Sequence, residues 1–465
     1  MEEDDFYLEK DELNKILAKC ENMLKTQTSL YFDVYEFESI IDYYLEINKL
    51  NTANKIIDIA LKQHPGNFEL ELRKAKILLD KNDTQSALSI LNRLHKTEKD
   101  SHEIYLLKGI CYANNGDLAK AESFFKQIID YDNEDIEDIL YNIALTFLNN
   151  DHFEIALKYL NNSYNLFPDN YLIIYDIAYC YDKLGEYDNS IEFYNKYIEI
   201  DPYSENAWFN LGIVYNKMCD YSEAITAFDY ALAINEDFTA ALFNKANSLA
   251  NWEKYVLAID VYEEYLKVDP TNIIAIYYLG ECYEKTNDYK QAYSYYHQTT
   301  KMDSNFADGW FGKAVIMYYK KEYTKAEKFI LAAIKINEDC SEYLFTYGNI
   351  LLEKKEYDKA IELYKKALDI SEFEKEYWIS YALGLKENND ITEAIEVLLK
   401  ALDFFENDTE IIFTLAACYL HNKNFTEAEN YIKKGLSLES DSLDLFFENF
   451  ELTPEEEIFF KKNMN

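Results

Sequence analysis

Arginine is almost missing: Arg73 and Arg93 are the two in a chain of 465 residues. The forked guanidinium is the usual reader of bases and phosphates. Lysine and arginine together number 46 against 86 acidic side chains, a formal net charge of −40. Such a surface repels phosphate backbones and anionic headgroups over a Debye length of roughly 8 Å. No direct nucleic-acid binding is expected. Proline (5) and glycine (11) are scarce, so few breaks interrupt what should be a mostly helical body. No apolar run reaches the roughly twenty residues of a membrane span, so no membrane insertion is expected. The opening MEEDDFYLEK lacks the basic and apolar regions of a secretory signal.

Cysteine is sparse too. The seven run from Cys20 to Cys418 without a CxxC pair, against a disulfide framework or zinc ribbon and for a reducing, cytoplasmic setting. The six histidines are scattered, with no HExxH or His/Cys cluster, so no metal or other cofactor is expected. GxxxxGK[ST], GxSxG and a GxGxxG after a strand are all wanting. Acidic pairs such as Glu263–Glu264 are abundant, but among 86 acids they read as solvated helix faces. Neither an activated nucleophile nor an oxyanion site is visible, so the chain is not expected to be an enzyme.

What is present is a period. Ala53, Ala87, Ala121, Ala156, Ala224, Ala258, Ala292, Ala326, Ala360, Ala394 and Ala428 recur every 34 residues, with one 35-residue step, and Ser190 fills the single gap. With that residue set as position 20, twelve units begin at Val34, Phe68, His102, Glu137, Tyr171, Glu205, Thr239, Ile273, Ala307, Ser341, Lys375 and Thr409. Position 8 is then alanine or glycine in every unit except the first, where it is Ile41. Position 4 holds Trp208, Trp310 and Trp378, and position 32 holds Pro65, Pro168, Pro202 and Pro270. Positions 4, 7, 8 and 11 share one helical face, as do 20, 24 and 27. Small residues at 8 and 20 let two antiparallel helices approach closely. A turn is needed near position 15, and proline at 32 cannot continue the second helix. Cys111, Cys180, Cys282 and Cys418 all fall at position 10, a repeated place that marks packing rather than catalysis.

The arrangement resembles the tetratricopeptide repeat family, whose pattern is W-x2-L-G-x2-Y followed by A, F, A and P. The sixth unit carries it best, in Trp208, Leu211, Gly212, Tyr215, Ala224, Phe228 and Ala231. The resemblance covers residues 34–442 and implies an all-α right-handed superhelix, a TPR solenoid of about twelve repeats. Residues 1–33 and 443–465 read as helical caps, with a capping box at Thr453-Pro454-Glu455-Glu456. The tail phenylalanines Phe446, Phe447, Phe450, Phe459 and Phe460 would cap the last unit, drive self-association or occupy a groove.

In that family the first helix of each pair lines the concave face, at positions 2, 5, 6, 9, 12 and 13. Position 5 offers Tyr141, Tyr175, Phe209, Phe243, Tyr277, Phe311 and Phe345. Asn142, Asn210 and Asn244 stand at position 6, and Tyr179, Asn247 and Asn349 at position 9. Rings give rigid contact area, and asparagine amides can pair with a peptide main chain. These residues are the candidate peptide-binding groove; packing against the adjacent repeat is the competing account. The clamp that some TPR proteins build from lysines and asparagines for a carboxylate is not matched, Arg73 and Lys76 being the lone basic pair in the lining. The expected role is a non-catalytic scaffold or adaptor for a protein or peptide, extended or basic. The alternatives are a structural assembly protein joined through its terminal helices and a regulator of a neighbouring enzyme or transcription factor. Oligomeric state stays open.

Overall fold

A small residue at position 8 facing a large one at position 24 sets how close paired helices come, and the computed structural model shows the result residue by residue. It describes residues 10–26, 28–99, 101–129, 136–168, 170–438 and Pro454. The expected C-terminal cap, its capping box and the tail phenylalanines therefore lie outside the described residues, Pro454 excepted. Among the described residues the regular structure is helix alone.

The chain divides into two units, residues 1–234 and 235–465. The first opens with α1 (Lys10–Thr26), α2 (Val34–Glu46), α3 (Leu50–Gln63), α4 (Phe68–Asp80), α5 (Thr84–Thr97), α6 (His102–Asn114) and α7 (Leu118–Ile129). It continues through α8 (Ile136–Leu148), α9 (Phe153–Leu166), α10 (Tyr171–Leu184), α11 (Tyr187–Ile200), α12 (Glu205–Lys217) and α13 (Tyr221–Ile234). The second contains α14 (Thr239–Asn251), α15 (Tyr255–Val268), α16 (Ile273–Lys285), α17 (Tyr289–Met302), α18 (Ala307–Tyr319) and α19 (Tyr323–Ile336). It ends with α20 (Ser341–Glu353), α21 (Tyr357–Ile370), α22 (Lys375–Glu387), α23 (Ile391–Phe404), α24 (Thr409–His421) and α25 (Phe425–Leu438). Within each unit consecutive helices pack side by side, and first helices of neighbouring pairs also touch, as α6 does α8 and α16 does α18. Short turns make each pair antiparallel. This is an all-α TPR solenoid built of stacked helical hairpins.

Glycine at position 8 meets a ring. A Cβ on Gly212 would lie 2.6 Å from Phe228, on Gly280 2.9 Å from Tyr296, and on Gly348 2.5 Å from Tyr364. Where alanine stands there instead, the cluster often holds an aliphatic at position 24, as in Ala382 with Leu398 and Ala314 with Ile330. Ring volume and missing side chain are thus matched across the hairpin.

The turn after each first helix passes through the left-handed region at position 15. Gly116 and Gly185 do so at no steric cost, but Asn82, Cys219, Glu253, Lys321 and Lys355 have φ near +60° as well. Each such non-glycine residue costs about 1–2 kcal/mol, which hairpin packing offsets. The prolines at position 32 all lie in turns after second helices. Trp208, Trp310 and Trp378 each donate the indole N–H to a carbonyl six residues earlier (Pro202, Ser304 and Glu372), tying that turn to the next helix.

At the N-terminal side of the first unit, Ile16, Leu17, Cys20 and Met23 of α1 share a core with Phe37, Ile40 and Ile41. Gln63 bridges the Phe32 N–H and the Leu30 carbonyl, which fixes the segment leading into α2. The position-10 thiols are buried, and burial raises Cys111, Cys180, Cys282 and Cys418 to about 12. They are packing groups. Four lysines depart from the apolar rule at position 7, Lys74, Lys108, Lys245 and Lys313, and two of them are buried. Lys108 is 6% exposed with its ammonium 4.8 Å from the Phe124 ring. Lys313 is 3% exposed, with Trp310 and Phe329 at 4.0 and 4.4 Å, the Thr300 hydroxyl at 3.4 Å, no carboxylate in contact among the described residues, and a pKa lowered to about 8 by burial and by Lys328.

Gly348→Ala is expected to cost about 1–3 kcal/mol in chemical denaturation through overpacking. In the double variant with Tyr364→Leu the two losses should couple favourably by about 1 kcal/mol or more. Strict additivity would show that ring and glycine do not determine one another.

Candidate functional site

First helices carry the candidate groove because their second-helix partners occupy the other layer of each hairpin. In the first unit, position 5 of one hairpin reaches position 6 of the next. The Tyr141 hydroxyl donates to Asp176 Oδ2 at 2.9 Å, and Asn210 Nδ2 donates to the Tyr175 hydroxyl at 2.6 Å. Burial raises the Asp176 carboxyl, which the Tyr141 bond partly counters. Tyr175 also meets the rings of Tyr194 and Tyr197, Tyr179 meets Phe153, and Phe209 meets Phe228. Asn142 is exposed and makes no side-chain hydrogen bond among the described residues.

In the second unit the position-5 rings also face the following hairpin. Phe311 stacks on Tyr343 at 4.9 Å, Phe345 on Tyr377 at 4.4 Å, and Phe243 lies near Tyr265 and Tyr278. These rings are packed against neighbours rather than standing free. The position-9 asparagines accept from the core tyrosines at position 24: Tyr262 donates to Asn247 Oδ1 at 2.5 Å and Tyr364 to Asn349 Oδ1 at 2.7 Å. The Oδ1 of each amide is thereby committed to the core. Asn244 Nδ2 donates to the Ala240 carbonyl on its own helix. A sequence reading confined to first helices misses these bonds, because the partner tyrosines lie 15 residues away on the second helix.

Two cavities of the second unit gather five of the candidate residues, Asn247, Tyr277, Phe311, Phe345 and Asn349, with acidic side chains that sequence reasoning passed over. One cavity of about 330 Å³ is lined by Asn247, Asn251, Tyr255, Tyr262 and Tyr278. A second of about 280 Å³ lies against Tyr277, Tyr296, Phe311, Tyr318 and Phe345. Glu281 and Lys285 belong to both, so the two adjoin. Tyr277 donates to Glu281 and Tyr296 to Glu284, at 2.9 and 2.8 Å. Burial, with Glu284 and Glu342 close by, lifts the Glu281 carboxyl to about 7, while the Tyr277 bond and Lys285 work against the rise. Burial raises Glu284 as well. The sequence signal was the i, i+3 pair on α16, hidden among so many surface acids.

The basic pair of the lining is already occupied. Arg73 binds Asp42 at 2.5 Å and approaches Glu38, and Lys76 pairs with Glu103. Among the described residues no helix is long and apolar enough to cross a membrane, and no group of three or more histidine, cysteine or acidic side chains is placed to hold one metal ion.

Asn349→Ala strands the buried Tyr364 hydroxyl and should lower stability by about 1–3 kcal/mol, read as a fall in Tm. Asn142→Ala should stay within about 0.5 kcal/mol. Equal shifts would mean that Asn349 does not hold the core tyrosine.

Tetratricopeptide repeat family models match residues 78–141, 172–204, 205–238 and 275–307. The model for anaphase-promoting complex, cyclosome, subunit 3 matches residues 353–435. A search of curated proteins gave no match. Among solved structures, the APC/C hetero-tetramer Cut9–Hcn1 is similar at 12% identity and TM-score 0.45, over 97% of this chain and 99% of that one. Yeast Tom70 is similar at 14% and 0.44, over 92% and 94%. YrrB, a TPR protein with an unusual peptide-binding site, is similar at 14% and 0.34, over 39% and 94%. With the periodic family matches, the matched ring-and-glycine hairpins and the recurrent tryptophan ties together, the chain belongs to the tetratricopeptide repeat family.

Proposed function

We propose that the protein is a non-catalytic scaffold that holds a partner polypeptide along its first helices, in the groove on α14, α16, α18 and α20. The TPR fold supports protein–protein interaction as the class. The observation that carries the specific reading is the pair of adjoining cavities. Their walls combine asparagine amides, phenol rings and carboxylates, and no described residue fills them. An extended segment gains there from main-chain hydrogen bonds to the Nδ2 groups and from burial of its side chains against rings. A net charge of −40 favours a basic partner and speeds its encounter at low salt.

Asn244 and Asn251 make no side-chain hydrogen bond to a neighbouring helix among those resolved in the structure. The double variant Asn244→Ala/Asn251→Ala is therefore expected to keep its helical content and Tm. Affinity capture from the native cell, quantified by mass spectrometry, should lose the partner severalfold relative to wild type. Undiminished capture by the folded variant would remove the groove from the account.

A further inference from the structure

The second cavity has a composition that a main-chain groove does not need. Its walls are aromatic: Tyr277 and Tyr296 on one side, Phe311 and Tyr318 in the middle, Phe345 on the other. Gly312 belongs to it too, and a Cβ there would lie 2.6 Å from the Tyr296 ring, so the missing side chain lets that ring stand in the cavity wall. Into it face Glu281 and Glu284 of α16 and Glu342 of α20. None of the three makes an ion pair within 4.0 Å among the described residues; Lys285, on the rim, is the lone cation of the lining. Three carboxylates against one ammonium leave an excess of two negative charges when all are ionised. The carboxylates do not converge tightly enough to share a metal ion, so their spread suits a long organic cation better.

We infer that this aromatic-walled cavity between α16, α18 and α20 is a subsite for one lysine or arginine side chain of the partner polypeptide. The inference rests on the groove reading above and names what that groove selects. Ring faces attract a desolvated ammonium or guanidinium, and carboxylates at the cavity wall supply charge-assisted hydrogen bonds. The two phenols that hold Glu281 and Glu284 orient those carboxylates in advance, which lowers the ordering cost of binding. Glu281 is faced by Tyr277, Glu284, Glu342 and Lys285. Its carboxyl titrates near neutrality and is ionised above that range, so cation binding tightens as pH rises through it and expels the proton still shared there.

The probe is a short fluorescein-labelled peptide of repeating Gly-Ser-Lys, with a Gly-Ser-acetyllysine peptide as control, followed by anisotropy at low salt with the full chain. Glu281→Gln/Glu342→Gln should weaken the lysine peptide about tenfold, the loss of roughly 1.4 kcal/mol. Asp260→Asn/Glu264→Gln, which removes the same charge from the exposed face of α15, should change it less than about twofold. Thr346→Arg, which sets a tethered guanidinium at the cavity, should weaken it as the first pair does. Wild-type affinity should rise between about pH 6 and pH 8, and that rise should shrink in the Glu281 variant. Equal losses from the two charge-matched pairs, or equal binding of the acetylated peptide, would overturn the subsite, since the probe would then report net charge alone. If native-partner capture still depends on Asn244 and Asn251 in that case, the groove stands without the subsite; if that dependence is absent while the probe result holds, the groove reading fails and the cation site remains.

Discussion

The fit of one aromatic ring over one absent side chain governs the hairpin. Tyr296 illustrates it, with Gly280 of its own hairpin against one edge and Gly312 of the next against the other. The ring is 1% exposed, yet its hydroxyl reaches Glu284 on the first helix. Tyr262 and Tyr364 do the same toward Asn247 and Asn349. The side chain that fills the core therefore ends at the groove. Core and candidate site are coupled through single residues, so a change in groove chemistry at these positions is also a change in packing.

Charge is distributed by a related logic. Several cations bridge neighbouring hairpins rather than decorate one helix: Lys158 with Glu122, Lys217 with Asp182 and Lys375 with Asp408. Asp182 is buried and takes both contacts from Lys217 at 2.7 Å. The exposed pairs contribute at most about 1 kcal/mol each, but they favour one register between successive hairpins. Cations placed this way leave the acidic surplus unneutralised elsewhere, and the groove of the second unit is where part of it collects.

The all-helical class and the hairpin layout were legible because alanine and glycine recur at fixed positions and a helix has a fixed pitch. Position 15 was legible as a turn, although Lys321 and Lys355 there give no hint of positive φ; only the tight hairpin demands it. The candidate groove was harder to read. Position alone puts Asn247 and Asn349 on the lining, but their bonds depend on tyrosines contributed by the second helix. Glu281 and Glu284 looked like an ordinary acidic face, since their burial is created by rings from the next two helices, α17 and α18. Face periodicity records which way a residue points; it carries no record of what the next hairpin brings over it.

Lys313 has a consequence of its own. Sealed between Trp310 and Phe329, with no counter-carboxylate among the described residues, its amine is screened from dissolved reagents while α17, α18 and α19 remain together. Burial and the nearby Lys328 lower its pKa to about 8, so at a fixed, mildly alkaline pH its acylation by a water-soluble ester waits on access. The rate at which this single lysine becomes labelled is then a clock for the local parting of three helices, readable long before the chain as a whole unravels.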